Sequence, residues 1–594
     1  MNRMTPHANL RHPILEDHMA EEPSRGLTTL GKGFVAVFAI GLVGVGLFFA
    51  RDVLLPSADG PADLDLAAAR DALGQTPEAP DLTGITTVQE YSFVPGDRLP
   101  PVEGVSGYEW DADDPVVKFP INMWIGWLPI VAANHGFAPN EESVFYQEYG
   151  FKVDLTLIDD PVAARDTYAA GRSHALWGTM DMMVLFAPEL MRDSRTAPRI
   201  VQQIDWSAGG DGIVARNSVD SIADLRGKTI VYAQNSPSQY YVNALLINAG
   251  IQPGEVEHKF TSSAFEAAAA FVSDPSIDAC VSWAPDIYNI PEKVEGTRIL
   301  STTADASKLI ADVWAVRADF AKDHPEIVEG LVAGIFEGVT MVQDDPQQAA
   351  VWMSEGFGMP VDEVNGMMAD AHITNFGENE DFFLNANSPT NFEHTWESIT
   401  FVYRELGLID SPVRWDQVAD FSFVQKLASE GTFDTQARPV SQPFVPQSYT
   451  RVTAEAPLLT QELRINFFPN SYDLHEPGRD EFGAVKDGTL YDPSVDTTIE
   501  RAARLAGQFE SATIAISGHT DASMRDRVPF SVVQELSQQR AAAVRDELIE
   551  RYDFDPNKFV VEGVGWNEPA DPNDPGNHFL NRRVEVAVYP PEGE

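Results

Sequence analysis

The sequence predicts an α/β protein built from several units, and three observations support this prediction. Strand-like apolar runs alternate with helical patterns from residue 116 to about residue 427, as they do in α/β architectures. A smaller set of strand and helix patterns, from residue 459 to the end, predicts an α+β domain. Before both, Phe34–Ala50 forms a run of 17 apolar residues that predicts one transmembrane helix.

Composition limits the possible partners and cofactors. At 594 residues the chain is too long for one core, since a domain averages about 150 residues. The formal net charge of -49 predicts an acidic, solvated surface and no nucleic-acid partner, because a polyanion would be repelled. The single cysteine, Cys280, excludes an internal disulfide and a cysteine-rich metal site. No cofactor and no metal site are predicted.

The apolar run at Phe34–Ala50 would span about 26 Å as a helix, enough for a thin bilayer core. A cleaved signal peptide is the alternative. It is disfavoured by the long preceding segment and by Phe48-Phe49-Ala50, which puts a bulky residue where cleavage needs a small one. Residues 1–33 hold four cations and are expected to be a cytoplasmic tail. The chain is therefore expected to cross the inner membrane once and to be otherwise periplasmic.

Two stretches are predicted to connect these units. Residues 51–114 are rich in Pro, Ala, Asp and Gly and are expected to form a linker, about 45 Å long as a flexible coil. Residues 431–458 contain four prolines and predict an extended connector. The module of residues 115–430 lies between them, and the domain of residues 459–594 follows the connector.

Seven strands are predicted within the α/β module: Val117–Met123, Lys152–Ile158, His174–Gly178, Gly212–Arg216, Thr229–Ala233, Ala279–Trp283 and Val313–Arg317. Helices are predicted between and after them, among them Pro161–Ala170, Gln239–Ala249, Ala264–Ser273, Pro325–Met341 and Pro346–Phe357.

Four motifs in this module carry a family resemblance: Gly178-Thr-Met-Asp181, Gly209-Gly-Asp-Gly-Ile-Val214, Ile222-Ala-Asp-Leu-Arg-Gly-Lys-Thr-Ile230 and Trp283-Ala-Pro285. The module resembles the periplasmic solute-binding proteins of the sulfonate, nitrate and thiamine-precursor type, which serve ABC transporters. The resemblance implies two α/β lobes that close on a ligand by a hinge. It places lobe one at about 115–212 and 315–430 and lobe two at about 213–314. The crossing strands are expected near Ile213–Arg216 and Val313–Arg317.

The solute site is expected at the carboxyl ends of the strands, where α/β sheets bind ligands. The loops at those ends are rich in Trp and Asp and contain no Lys or Arg. This composition favours an amine, a quaternary ammonium or a heteroaromatic ring over a phosphate or sulfonate. For any single Trp, packing within a lobe is an equal alternative. The predicted ligand residues are Trp124, Trp127, Asp181, Asn235, Ser236, Trp283 and Asp286.

In the C-terminal domain, an alternating strand at Thr513–Ser517 leads into Gly518-His519-Thr520-Asp521, and a helix opens near Leu536 and carries Arg540. A carboxylate and a guanidinium thus stand at the two ends of one loop. Together they suit a zwitterion, because Asp521 can accept from an ammonium and Arg540 can grip a carboxylate with two hydrogen bonds. The alternative is that the two side chains simply pair with each other.

Five ordered motifs extend this site: Ile465-Asn-Phe467, the GHTD loop, Leu536-Ser-x-x-Arg-Ala541, Val560-Val-x-Gly-x-Gly565 and Asn581-Arg-Arg-Val-Glu-Val586. They resemble the OmpA-like peptidoglycan-binding family, whose members bind the diaminopimelate of stem peptides. The resemblance implies that Asp521 binds the ligand's amine and Arg540 its carboxylate, with Asn470, Ser523 and Arg582 as supporting contacts. The loop before Arg540 is longer than is usual, and Val533 stands where the family tends to have Asn.

No motif of a hydrolase, nucleotide-binding loop or zinc site is found, so no catalytic residue is predicted. The expected function is that of a solute receptor anchored in the inner membrane and docked on peptidoglycan, which presents a small molecule to an ABC permease or a signalling partner. A structural, wall-tethered accessory of a membrane complex such as a stator is the alternative. An active stator subunit is disfavoured because Phe34–Ala50 carries no ionisable group.

Overall fold

The computed structural model describes residues 86–590, apart from short gaps at 87, 89, 97–98, 103, 440–442, 455–456 and 481. The predicted cytoplasmic tail, the predicted transmembrane helix and most of the predicted linker lie outside the described residues. None of the helices within the described ranges combines the length and the apolar character that a membrane crossing needs.

The described residues form seventeen strands, labelled here in chain order: β1 Val116–Ile121, β2 Lys152–Leu157, β3 Ala175–Thr179, β4 Pro198–Ser207, β5 Asp211–Arg216, β6 Thr229–Ala233, β7 Glu257–Thr261, β8 Ala279–Trp283, β9 Thr297–Thr302, β10 Ala311–Arg317, β11 Ala371–Ile373, β12 Leu459–Leu463, β13 Pro477–Arg479, β14 Val485–Leu490, β15 Thr513–His519, β16 Phe559–Gly565 and β17 Val584–Tyr589.

The α-helices are α1 Leu128–Ala133, α2 Val144–Tyr149, α3 Pro161–Ala169, α4 Met180–Leu190, α5 Pro237–Asn248, α6 Ala264–Ser273, α7 Asp286–Lys293, α8 Ala318–Asp323, α9 Pro325–Asp344, α10 Pro346–Phe357, α11 Val361–Met367, α12 Phe376–Leu384, α13 Phe392–Glu405, α14 Ser422–Glu430, α15 Tyr449–Val452, α16 Val495–Gln508, α17 Phe530–Tyr552 and α18 His578–Asn581.

Local sequence explains where several helices begin. Helix α3 starts with a proline, and the Asp160 side chain before it accepts hydrogen bonds from the Val162 and Ala163 amides at 2.8 and 2.9 Å. Helix α12 starts with a capping box, in which the side chains of Asn375 and Glu378 each accept from the other residue's amide. These side chains satisfy amides that a helix leaves unpaired at its start.

The module consists of two α/β lobes. Lobe one contains the parallel pair β1 and β2 and a four-stranded sheet in the order β11-β4-β10-β3. Lobe two contains a five-stranded sheet in the order β7-β6-β8-β5-β9. Helices cover both sheets, and the largest fully buried side chains of this region include Trp127, Trp314 and Trp396. The two-lobed α/β architecture predicted from the sequence is therefore present.

The chain crosses between the lobes at 208–210, between β4 and β5, and at 303–310, between β9 and β10. The predicted crossings were placed a few residues away, at Ile213–Arg216 and Val313–Arg317. Those segments are strands within the sheets of lobe two and lobe one respectively. The correction arises because strand propensity marks the strands themselves, whereas the crossings are the polar turns that join them.

One hydrogen-bond network ties the two crossings together. The Ser207 hydroxyl lies 2.7 Å from the Thr303 hydroxyl and donates to Asp211 Oδ2 at 2.7 Å. Thr303 Oγ1 also accepts from the Gly209 and Asp211 amides at 2.9 and 3.2 Å, and the Thr303 amide donates to the Asp211 carbonyl at 2.8 Å. All three side chains are buried. We call Ser207, Asp211 and Thr303 the crossing network.

The seven predicted strands all occur, with ends within two residues of those predicted, but β4, β7, β9 and β11 were missed. Strand β4 was missed because Gln202, Gln203 and Asp205 interrupt its apolar pattern. In the structure these side chains are buried. Gln202, for example, accepts from Trp314 Nε1 at 3.0 Å. Neighbouring elements satisfy part of this polar strand, since Asp205 Oδ2 also accepts from the Trp124 indole at 3.0 Å, whereas Gln203 Oε1 and Asp205 Oδ1 have no hydrogen-bond partner among the described residues.

Part of the predicted linker is packed against lobe one. The Tyr108 hydroxyl donates to Asp323 Oδ2 at 2.9 Å, and Arg317 Nη2 donates to the Ser106 carbonyl at 2.9 Å. Trp110 contacts the ring of His324 with 4.8 Å between the centroids. Over these residues the segment is thus a layer of the module and not a free tether. The prediction of a linker relied on the Pro and Asp content of this segment and overlooked the aromatic residues that anchor it.

The C-terminal domain is a small α+β unit. Its four-stranded sheet has the order β12-β17-β15-β16, in which β15 and β16 are parallel and the other pairs are antiparallel. Helix α16 buries Val495, Ile499 and Ala502, as its amphipathic pattern predicts. The long helix α17 packs along β15 and β16 and carries Arg540 on its buried side.

This domain contacts both lobes of the module. Arg504 Nη2 on α16 lies 2.7 Å from Glu397 Oε2 of lobe one. Gln461 Nε2 on β12 lies 3.3 Å from Asn248 Oδ1 at the end of α5 in lobe two. Between them, the amide of Lys308, within a crossing, donates to the Gln508 carbonyl at 3.1 Å. The C-terminal domain thus bridges the lobes and one crossing.

Gly507 offers a test of this contact. A Cβ built at Gly507 would lie 2.9 Å from Pro389 Cγ and 3.0 Å from Thr390 Cγ2, both in lobe one. We expect Gly507→Leu to separate the domain from lobe one because its side chain has no room, and so to accelerate proteolysis within the connector 431–458 several-fold. The control is Thr497→Leu, at an exposed position of the same helix. Equal cleavage of the two variants would contradict the described interface.

Candidate functional site

A cavity lies between the lobes beside the crossings. Its volume is about 20 Å³, which is close to the space that a single water molecule needs. A solute larger than water would need more space than this arrangement of the lobes provides. Both lobes contribute to the lining, which consists of Asn122, Trp124, Pro161, Trp177, Thr179, Met182, Asp211, Ser236, Pro237, Trp283, Ile310 and Asp312.

Three of the seven predicted ligand residues line this cavity: Trp124, Ser236 and Trp283. Trp124 is fixed by its indole, which donates to Asp205 Oδ2 at 3.0 Å. Trp283 ends strand β8 and meets the edge of the Phe265 ring at 5.4 Å between the centroids. The carboxyl ends of β3 and β8, where Thr179 and Trp283 stand, reach the cavity as expected for an α/β ligand site.

The other four predicted residues are buried near the cavity without lining it. Trp127 is fully buried and donates to Asn122 Oδ1 at 2.7 Å, so it orients a lining residue. Asp181 accepts from the Tyr403 hydroxyl at 3.1 Å, and the Asn235 amide donates to Gln239 Oε1 at 2.8 Å. Asp286 is fully buried in the first turn of α7. These contacts are structural.

Sequence reasoning missed several lining residues, of which Trp177, Asp211 and Asp312 bear most on chemistry. Each stands within or at the start of a strand and not in the loop that follows it. Asp211 was visible in the Gly209-Gly-Asp-Gly motif, but it was used there only as evidence of family resemblance. The signal in the sequence was an aspartate that follows two glycines at the start of an apolar strand. An aspartate buried at such a position is seldom found without a partner.

Five buried carboxyl groups surround the crossings. Asp205 and Asp312 stand opposite each other in the β4–β10 register. Burial raises the pKa of Asp205 and of Asp211 to about 7, and the pKa of Asp312 well above its usual range. Burial also raises the pKa of Asp181 and of Asp370 to about 6. Burial at the junction of the lobes therefore favours the protonated, neutral form of these carboxyls.

In the C-terminal domain, the predicted residues Asp521 and Arg582 meet directly. Asp521 is buried at the end of β15, where Oδ1 accepts from the Ser523 amide at 2.7 Å and Oδ2 accepts from Arg582 Nε. Burial acts to raise the pKa of Asp521, but the hydrogen bonds from Ser523 and Arg582 outweigh it and the pKa is lowered. Asp521 is thus held as a carboxylate, the form that attracts an amine.

The side chain of Arg540, on α17, lies near Asp521 and Arg582. Its side chain is largely buried, its guanidinium carbon lies 4.8 Å from the centre of the Phe467 ring, and Nε donates to the Ser471 carbonyl at 3.0 Å. Its two terminal nitrogens have no hydrogen-bond partner within the described ranges. Burial, followed by repulsion from Arg582, lowers the pKa of Arg540 to about 10, so the group stays charged at neutral pH.

The pairing expected as an alternative, Asp521 with Arg540, is replaced by the pairing of Asp521 with Arg582. The remaining predicted residues are exposed. Ser523 follows the Asp521 turn, and Asn470 adopts a left-handed backbone with φ of 62° in the loop that supplies the Ser471 carbonyl. All five predicted residues thus belong to this loop cluster or to the segments that shape it.

Neither site has the composition of a metal centre. In the part of the chain that the structure describes, no group of three or more His, Cys, Asp or Glu side chains is arranged to hold a metal ion.

Two family models match the chain. The model described as NMT1/THI5 like matches residues 135–349, and the OmpA family model matches residues 467–583. The chain joins an NMT1/THI5-like module to an OmpA-family domain. The first match covers lobe two and about half of lobe one, and the second includes Asp521, Arg540 and Arg582. This is the fusion that the sequence motifs predict.

Two curated relatives correspond to the two regions. The taurine-binding periplasmic protein of Escherichia coli (strain K12) is 30% identical over 148 residues, which are 24% of this chain and 44% of the relative. Outer membrane protein Omp38 of Acinetobacter baumannii (strain ATCC 17978) is 28% identical over 157 residues, 26% of this chain and 38% of the relative. The chain thus spans less than half the length of each relative.

Among solved structures, a putative periplasmic sulfonate-binding protein from Methylobacillus flagellatus KT is similar at 17% identity, with a TM-score of 0.43. The match covers 56% of this chain and 99% of that protein.

The acids of the NMT1/THI5-like module predict a stability that depends on pH. Asp211 has a pKa of about 7 in the folded chain and about 3.9 when unfolded, so the wild type loses stability as pH rises through that window. Asp211→Asn removes this loss. We expect it to stabilise the module at pH 8 by up to ~4 kcal/mol, from three pKa units at ~1.36 kcal/mol each, and to have little effect at pH 4.

Denaturant unfolding of the two proteins at both pH values measures this difference. Asp487→Asn, at an exposed position of β14 in the OmpA-family domain, is the control and should change neither value. The same stabilisation by Asp211→Asn at pH 4 and pH 8 would show that the effect is one of packing and not of charge.

Proposed function

We propose that the chain is a periplasmic solute receptor, anchored in the inner membrane by Phe34–Ala50 and docked on peptidoglycan through its OmpA-family domain. The receptor role rests on one observation, that the cavity between the lobes is lined from both sides, with Trp177 and Asp312 in lobe one and Ser236 and Trp283 in lobe two. A solute touching both lobes stabilises the closed form over the open one. An ABC permease or a signalling protein in the membrane would recognise the closed form.

The names of the relatives support a binding function over a catalytic one. The taurine-binding periplasmic protein is a binding protein, and so are several further curated relatives by name. We therefore assign solute binding, without catalysis, to the cleft.

The wall-binding role is supported by the charges at Asp521 and Arg540. An ionised, buried acid and a charged guanidinium with free terminal donors face one loop region, in an arrangement suited to the amine and carboxylate of diaminopimelate. Arg582 screens Asp521 until a ligand amine takes its place or joins it. Asn470 and Ser523 shape the loops on either side.

A second candidate function, a structural accessory tethered to the wall, is favoured by the docking of the OmpA-family domain on both lobes, since a rigid scaffold requires such contacts. Co-purification from membranes distinguishes the two. Permease and ATPase subunits support the receptor, whereas a polytopic motor subunit supports the accessory. Carbonate extraction of the same membranes tests the anchor, because an integral protein stays in the pellet.

Peptidoglycan binding gives the sharpest test of the wall-binding role. We expect Asp521→Asn and Arg540→Lys each to weaken sedimentation with purified sacculi at least ~30-fold, since the first removes the charge that attracts an amine and the second removes the fork that grips a carboxylate with two hydrogen bonds. Lysine is used because it keeps the charge that α17 already accommodates. The fold of each variant is checked by its melting curve.

The matched control is Arg545→Ala, five residues along the same helix, where the side chain pairs with its neighbour Asp546 at the surface. It should sediment with sacculi like the wild type. Sedimentation of Asp521→Asn and Arg540→Lys at wild-type levels would remove both residues from the site.

A further inference from the structure

One carboxyl oxygen of Asp211, Oδ1, is a hydrogen-bond acceptor without a donor among the described residues. Only 4% of the residue is exposed, and Oδ2 is occupied by the Ser207 hydroxyl at 2.7 Å. Oδ1 is buried without a hydrogen-bond partner in the described structure, yet Asp211 lines the cavity. A buried acceptor left unpaired costs about 1–3 kcal/mol. A ligand that supplies a donor to Oδ1 would recover this free energy.

The charge of the cavity selects the kind of donor. Among the described lining residues there are two acids, Asp211 and Asp312, and there is no Lys, Arg or His. Behind the lining, Asp205 holds Trp124 by its indole, and Asp181 and Asp370 lie close enough to act on Asp211 electrostatically. An anionic group placed here would find no cation in the lining to pair with, whereas a cation would stabilise the ionised form of these buried carboxyls.

The walls of the cavity are aromatic. Trp124, Trp177 and Trp283 all line it, and two of them are held by indole hydrogen bonds, Trp124 to Asp205 and Trp177 to the Ile158 carbonyl at 3.0 Å. Fixed indole faces attract cations and bury hydrocarbon at the same time. The described residues hold no group of three or more His, Cys, Asp or Glu placed for a metal ion, and indole faces suit an organic cation.

We propose that the solute is an organic ammonium ion that donates an N–H to Asp211 Oδ1 and lays its hydrocarbon part against the tryptophans of the cleft. The inference rests on the proposed solute-binding function and gives it a ligand class. The proposed class differs from the ligand named for the putative aliphatic sulfonates-binding relative, since an aliphatic sulfonate is an anion.

The test compares three ligands that share a four-carbon chain and differ in the head group: butylammonium, 1-butanol and butane-1-sulfonate. Each is titrated calorimetrically into the full-length protein in detergent at pH 8. We expect butylammonium to bind at least ~30-fold more tightly than the neutral and anionic ligands, as truncation of a buried charge pair implies. Asp211→Asn should abolish this preference.

Asp154→Asn is the matched control, because Asp154 is a half-buried aspartate of β2 whose pKa is also raised by burial but which does not line the cavity. It should retain the preference for butylammonium. Loss of the preference in both variants would show a general effect of charge and would overturn the assignment of Asp211.

The remaining outcomes separate the ligand class from the receptor function. Tighter binding of butane-1-sulfonate would overturn the ammonium assignment and leave the solute receptor intact. Binding of none of the three would also overturn the ammonium assignment. If a broad metabolite panel then gave no binding either, the proposed receptor function would fall as well.

Discussion

The hydrogen bonds of the crossing network are the constraint on which the module depends. The two crossings join lobes that have separate sheets. The hydrogen bonds among Ser207, Asp211 and Thr303 hold these crossings together and oppose a rotation that would separate the three residues. The network uses the same aspartate that faces the cavity. The crossings and the cavity therefore share a side chain, so the protonation of Asp211 bears on both.

This sharing gives the acidic cluster a physical rationale. Buried carboxyls are costly when ionised, and nothing about packing requires five of them at one junction. They are tolerable in the ligand-free molecule because burial raises their pKa values toward neutrality and allows some of them to keep a proton. A bound cation would offset the negative charge of the carboxylates in place of those protons. Ligand binding in the cleft would then be coupled to the protonation of its carboxyl groups.

Much of the fold could be predicted from sequence, because strands such as β6 and β8 are continuous apolar runs between turns. Strand β4 could not, since Gln202, Gln203 and Asp205 interrupt its apolar pattern and the partner that Gln202 finds in Trp314 is distant in sequence. The same limit applied to the cavity. Trp124, Ser236 and Trp283 follow strands and were found by position, whereas Asp211 and Asp312 lie inside strands and face the cavity only through the relative arrangement of the lobes. Asp521 and Arg540 were predicted at the two ends of one loop, but the helix that carries Arg540 begins earlier, at Phe530, so Arg540 lies in its third turn.

The bridge between the OmpA-family domain and the two lobes has a mechanical consequence. Gln461 holds lobe two and Arg504 holds lobe one, so a hinge rotation that parts the lobes must break at least one of these contacts or carry the domain along. The domain acts as a brace across the cleft. A mechanical force applied to the OmpA-family domain through the cell wall would be transmitted to both lobes by these contacts. Tension in the envelope would then change the free energy of opening the cleft.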